Sequence, residues 1–264
     1  MIAATDGLVD RLPGAFRSRR WLLADRDRWC DARVLGDDRD VLLVRSTDAG
    51  LVAMCAGDGA GVPRLLAELA RGIDAPDGES LAWLTAPRSV DVDPGTLAAL
   101  GVAPFSTWDR MSTDTPPPPV AGEDAVVPLD ASATDEVVAC LAEANPGTRS
   151  LPGAPDDAGW WGVRDGGRLV GVIGATRRLG SLDGRGSWHL HALGVVPSAR
   201  GRGLGAALAA TALRAGLGSG LAWVSLGMYA DNDVARRLYL RLGLSVDEEN
   251  ASYARPGFDG GFRR

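Results

Sequence analysis

Leu193-Gly-Val-Val-Pro-Ser-Ala-Arg-Gly-Arg-Gly-Leu-Gly-Ala206 decides how this chain is read. It has the form of a strand end, a proline stop, a turn with two arginines and three glycines, and a helix start. Such a turn aims several backbone N–H groups at one point, and the helix N-terminus adds partial positive charge there. Arg200 and Arg202 add full charges. A diphosphate is the ligand that this kind of nest favours. Working outward, Trp188 to Val196 reads as the strand feeding the turn, and Ala206 to Leu217 as the helix leaving it.

The same residues also spell a dinucleotide fingerprint, because Gly201-Arg202-Gly203-Leu204-Gly205-Ala206 satisfies G-x-G-x-x-A. That motif follows its strand directly and places an acidic residue about 20 positions on to bind ribose. Here Pro197-Ser198-Ala199-Arg200 intervenes, and residues 221–226, Leu-Ala-Trp-Val-Ser-Leu, hold no carboxylate. A Walker-type phosphate loop is excluded because it needs its lysine. All 28 basic residues of this chain are arginine.

A second element lies downstream. Asn232, Ala235, Tyr239 and Gly243-Leu244 recur at helical spacing. Seven residues are two helical turns, so Asn232 and Tyr239 share nearly one face. Taken singly, they are a capping Asn and a core-edge Tyr. Together with the glycine turn they resemble the GNAT acyl-CoA N-acyltransferase superfamily. Its motif, V-x-P followed by [QR]-x-x-G-x-[GA], is similar to Val195-Val196-Pro197 and then Arg200 to Gly205. Leu244 stands where the superfamily usually has Phe. The resemblance covers about residues 125–255.

That resemblance implies a mixed α/β sheet of GNAT type and acetyl-CoA as co-substrate. It implies direct attack of a primary amine, on a small molecule or a peptide, at the thioester. N–H groups around Leu193, Gly194 and Val195 would bind pantetheine and polarise the carbonyl. Amides of Arg200, Gly201, Arg202, Gly203, Leu204, Gly205 and Ala206 would hold the pyrophosphate, with Asn232 beside them. Tyr239 would protonate the departing thiolate. His191 is the candidate base, with Glu143 second; a sheet-face histidine with no proton role, water then serving, is the alternative. His189 and His191 share one face of the strand unless a bulge reverses parity. The acceptor is expected near Asn145 to Pro155 and Trp160-Trp161. Asp156 and Asp157 there could attract a cationic amine or simply be solvated. A non-catalytic acyl-CoA-binding regulatory module is the alternative function; retention of both Tyr239 and Arg200 favours turnover.

The chain changes character at Pro116 to Pro119, a stiff run that cannot join a helix. The expected organisation is therefore a domain over 1–115, a linker over 116–124 and a catalytic domain over 125–264. The first half repeats the later order: strand 51–56, glycine turn 57–61, helix 62–71, strand 81–85, short helix 94–100. The later counterparts are 190–196, 200–205, 206–217, 222–226 and 232–242. The first copy has no arginine in its turn and no Asn or Tyr in its short helix, so it reads as a degenerate second GNAT-like copy.

Net charge is −6, which gives no nucleic-acid footprint. Cys30, Cys55 and Cys140 form no CxxC pattern, so neither a disulfide framework nor a cysteine metal site is expected. No apolar run nears the ~20 residues of a membrane span, and Met1 to Phe16 has no leader pattern, so the expected location is the cytoplasm. Monomer and homodimer stay open.

Overall fold

A computed structural model describes residues 7–73 and 79–258. Met1 to Asp6, part of the stretch read above as lacking a leader pattern, lie outside the described residues, as do 74–78 and 259–264. The chain forms two compact units. The first holds 1–109, 229–231 and 248–264; the second holds 110–228 and 232–247.

The elements of the first half are α1 (Gly7–Arg11), α2 (Arg20–Ala24), β1 (Arg33–Gly36), β2 (Asp40–Thr47), β3 (Gly50–Gly57), α3 (Val62–Ile73), β4 (Leu81–Pro87), α4 (Pro94–Ala99) and β5 (Ala103–Thr113). β1, β2 and β3 run antiparallel in turn, and β4 pairs parallel to β3 across the α3 crossover. β2 and β3 form a hairpin in full register from Asp40↔Gly57 to Thr47↔Gly50. Val62, Leu65, Leu66 and Leu69 turn the apolar stripe of α3 onto a core with Leu42, Val44 and Leu84. A second core on Phe16, Trp21 and Leu22 includes Val41 and Leu43 of the same β2.

The second half holds β6 (Val126–Leu129), α5 (Thr134–Ala144), β7 (Asp157–Asp165), β8 (Arg168–Arg178), β9 (Ser187–Val195), α6 (Leu204–Gly218), β10 (Trp223–Tyr229), α7 (Asp233–Arg241) and β11 (Ser245–Ala254). β6, β7, β8 and β9 are antiparallel neighbours, and β10 joins parallel to β9 across α6. This is the mixed sheet that the sequence implied. A Cβ on Gly171 would meet Leu208 of α6, and a Cβ on Gly194 would meet Ala144 of α5. Gly194 pairs with Val172, next to Gly171 on β8, so α5 and α6 cover opposite faces.

Two boundaries differ from the sequence expectation. The compact units divide inside β5, between Asp109 and Arg110, whereas the expected domains divide around the proline run. Residues 248–264 count with the first unit because β11 pairs with β4, from Asn250↔Pro87 to Ala254↔Trp83. The proline segment is fixed within the second unit: Arg214 of α6 donates to the Pro117 carbonyl at 3.2 Å and to Glu123 at 3.1 Å.

Candidate functional site

β9 carries the first part of the site. Its register with β8 shifts between Val172↔Gly194 and Gly174↔His191, so Ala192 and Leu193 oppose the single residue Ile173. That is a β-bulge. Ala192 sits at φ 53, the only non-glycine residue with positive φ among those described. Holding an alanine there costs about 1–2 kcal/mol, a strain of the kind that collects at functional sites. The ladder between β9 and β10 ends at Leu190↔Leu226, while β9 runs on to Val195 and β10 beyond Leu226. The edge of β9 from His191 to Val195 that faces β10 is thereby opened, which leaves backbone donors for a ligand to satisfy. Leu193, Gly194 and Val195 lie in this opened segment.

The strand then passes through Val196 and a tight turn at Pro197–Ala199 into the glycine segment. Gly201 and Gly203 adopt φ 78 and 79, left-handed values that favour glycine, and a Cβ on either would meet open space. Gly203 is the N-cap of α6, so Leu204, Gly205 and Ala206 form its first turn, where helical N–H groups lack intrahelical partners. Ala206 N–H turns back to Gly203 O at 3.0 Å. Gly201 to Gly203 are exposed and Leu204 to Ala206 half-buried, an open cradle of amides at a helix start.

The two arginines do something other than face that cradle. Arg200 donates to Val195 O at 3.0 Å and to Ala144 O at 3.2 Å, tying the end of β9 to the last turn of α5. A cation there also suits the negative end of the α5 dipole. Arg202 forms an ion pair with Asp165 at 2.6 Å. The positive potential at the cradle therefore comes mainly from amides and the helix start.

Asn232 caps α7 as expected: its Oδ1 accepts from Ala235 N–H at 3.0 Å. At the other end Gly243, at φ 87, closes the helix, and Leu244 N–H returns to Tyr239 O at 3.1 Å. Tyr239 is buried in the core of the second unit, and this burial pushes its phenol up to about 12. The folded state therefore keeps a proton that the unfolded chain loses near pH 10. Stability from this group is complete below pH 10 and is lost as pH rises toward 12. We expect wild type to lose about 2–3 kcal/mol over that window relative to Tyr239→Phe. Paired denaturant titrations at pH 9 and pH 12 measure it, and equal losses in the two proteins would refute it.

Three strands bring the candidate base to its setting. Trp160 pairs with Gly174 and Gly174 with His191, in one row across β7, β8 and β9. Gly174 lacks a side chain, so the Trp160 and His191 rings meet edge to face above it, 5.2 Å apart. A Cβ on Gly174 would come within 2.5 Å of His191 Cε1 and 2.9 Å of the Trp160 ring. Gly174→Ala should thus displace His191 and destabilise by about 1–3 kcal/mol, the usual cost of overpacking. A melting curve with an unchanged Tm would count against this packing.

His189 lies two rows away, paired with Thr176, and its Nδ1 is 3.2 Å from Ser225 Oγ, which itself donates to Trp188 O at 3.3 Å. The Ser225 hydroxyl has one proton, so with it on the carbonyl, His189 Nδ1 is the donor in this contact. The two histidines do share a face, because the bulge comes after both. Ser225 and Gly174 were not singled out from the sequence. A glycine inside an apolar strand, Val172-Ile173-Gly174, is the local signal for close approach.

The other acidic candidates are engaged elsewhere. Glu143 pairs with Arg168 at 2.5 Å. Asp156 pairs with Arg178 at 2.9 Å. Asp157 Oδ2 accepts from Gly153 N–H at 2.7 Å, Ala154 N–H at 3.2 Å and Trp160 Nε1 at 3.3 Å, so it builds the loop and fixes the indole. A cavity of about 280 Å³ opens beside Trp160, between Thr134 and Val137 of α5 and the Pro152 loop. Among the described residues no cluster of three or more His, Cys, Asp or Glu could hold a metal ion. No described helix is long and apolar enough to cross a membrane.

Comparison with known proteins adds similarities. The Acetyltransferase (GNAT) family model matches residues 130–244. A mycothiol acetyltransferase from Nocardiopsis dassonvillei is 39% identical over 80 residues, 30% of this chain and 24% of that protein. One from Mycobacteroides abscessus is 42% identical over 74 residues, 28% of this chain and 25% of that protein. The match thus spans about a quarter of the length of these curated relatives. Among solved structures, a GNAT-family protein from Novosphingobium aromaticivorans aligns over 89% of this chain and 95% of its own, with TM-score 0.53 and 23% identity. The fold is therefore that of GNAT structures, and residues 130–244 are similar to the Acetyltransferase (GNAT) family.

Proposed function

We propose that the second unit is an acetyl-CoA-dependent N-acetyltransferase that moves an acetyl group onto a primary amine by direct attack. The observation that carries this reading is the opened β9 edge leading, on one strand, into the amide cradle at the start of α6. A thioester with a diphosphate at the far end of its carrier fits that pairing: an edge of free amides for the carbonyl arm, then a nest for the anion.

The residues take the following roles. Amides of Leu193, Gly194 and Val195 hold the pantetheine arm and polarise the carbonyl, which gains negative charge as the amine adds. Amides of Gly201 to Gly205 hold the pyrophosphate, since those of Arg200 and Ala206 already donate to Pro197 O and Gly203 O. Asn232 fixes the start of α7 and keeps its side-chain NH2 available on that side. Tyr239 hydrogen-bonds the departing sulfur and passes its proton late, since a phenol near 12 is a weaker acid than a thiol near ~8.5. His191 receives the amine proton, directly or through water. Acetyl-CoA supplies the activated acyl group when bound.

The first unit is proposed to be a degenerate copy of the same fold. In support, β2, β3, α3, β4, α4 and β5 follow one another as β8, β9, α6, β10, α7 and β11 do, with the same antiparallel and then parallel pairing.

An amine panel scored for CoA release tests the enzyme reading. It spans small amines, the acceptor used by mycothiol acetyltransferases, and peptides with free N-termini. Amine-dependent release is expected on at least one member. Bound acetyl-CoA with no amine-dependent release on any member would favour the non-catalytic acyl-CoA-binding module instead.

A further inference from the structure

The first unit's own glycine turn, at residues 58–61, follows β3 and opens α3, just as the glycine segment of the second unit follows β9 and opens α6. Its amides are already taken. Gly59 N–H donates to Asp40 Oδ1 at 2.7 Å, and Gly61 N–H donates to Asp40 Oδ2 at 2.6 Å. Asp40 is the first residue of β2, pairs with Gly57 at the end of β3, and is 2% exposed. Both carboxylate oxygens thus sit at the N-terminus of α3, where the helix start favours an anion. Gly57 and Gly61 fit because neither has a side chain: a Cβ would come within 2.4 Å and 3.0 Å of the Asp40 oxygens.

The second unit differs at each of these points. The residue paired with the end of β9, Val195, is Gly171, which brings no carboxylate. A Cβ on Gly171 would already press on Leu208 at 3.0 Å. The connection is also longer, residues 196–203 against 58–61, which leaves room for an external anion.

We infer that Asp40 is a built-in anion that fills the first unit's nest, so that the chain takes up one acyl-CoA diphosphate, in the second unit, and none in the first. The buried carboxylate replaces the ligand as the group that satisfies the turn, and the first unit keeps the fold without needing a cofactor to complete it. This inference rests on the acyl-CoA reading proposed above for the second unit.

Two measurements test it. In calorimetric titration with coenzyme A, wild type should bind one equivalent and Gly203→Glu none. Two equivalents for wild type, or one retained by Gly203→Glu, would overturn the inference. No binding by either protein would sink the acyl-CoA reading of the second unit, and the filled nest would then stand or fall on the second measurement. Asp40→Gly removes the internal anion, leaves the buried Gly59 N–H and the half-buried Gly61 N–H without their carboxylate, and should lower Tm by about 5–10 °C. Inorganic phosphate should then raise the Tm of Asp40→Gly by about 2 °C more than that of wild type, because an external anion can enter the vacated nest. Equal phosphate shifts would contradict the built-in anion. If Asp40→Gly does not fold, Asp40→Ala, which also vacates the nest and keeps a Cβ for the strand, replaces it with the same comparison.

Discussion

Replacing Tyr239 by Phe is expected to lower kcat by about 100-fold or more while leaving the Kd for acetyl-CoA within about threefold, the range for loss of a positioned proton donor. The phenol is buried and stays protonated at every working pH, so its hydroxyl is available as a donor. Phe keeps the ring and its packing in the core of the second unit, so binding and folding should persist. Steady-state kinetics with a saturating amine, paired with calorimetric titration of acetyl-CoA, separate the two effects. Turnover equal to wild type would dismiss Tyr239 as the acid and leave it a core residue.

Gly203→Glu is expected to weaken acetyl-CoA binding by at least about 100-fold. Two physical terms combine there. Gly203 caps α6 at φ 79, so any side chain adds about 1–2 kcal/mol of backbone strain. A carboxylate at the mouth of the amide cradle also repels a diphosphate. Gly203→Ala carries the strain without the charge, and the difference between the two variants isolates the electrostatic part. If Ala and Glu weaken binding equally, the cradle does not bind an anion.

The elements that position the site were legible because their signals are local. Pro197 after an apolar strand, the glycine turn, Asn232 before Ala235 and Gly243 after Leu242 each act within a few residues of themselves. The bulge at Ala192 was not legible. Nothing in Leu190-His191-Ala192-Leu193 announces it, since alanine is a poor residue for positive φ and only the pairing with β8 imposes it. The destinations of Arg200 and Arg202 were also hidden. Their targets, Ala144 and Asp165, lie 56 and 37 residues away in sequence, so spacing suggested the cradle whereas the fold supplies other acceptors. The same holds for Asp40. Its two bonds to Gly59 and Gly61 follow from the register of β2 against β3, which brings a strand's first residue alongside a turn 19 and 21 residues later. The pairing of β11 with β4 is more distant still.

β9 from His191 and the loop through Ala206 are the proposed seat of acetyl-CoA. Hydrogen–deuterium exchange with and without saturating acetyl-CoA tests it most directly, because it reads backbone amides, the groups assigned to the ligand. Protection should concentrate in residues 191–206 and be absent from 57–62, where the amides already have their carboxylate. Unchanged exchange across 191–206 at saturating acetyl-CoA would contradict the account.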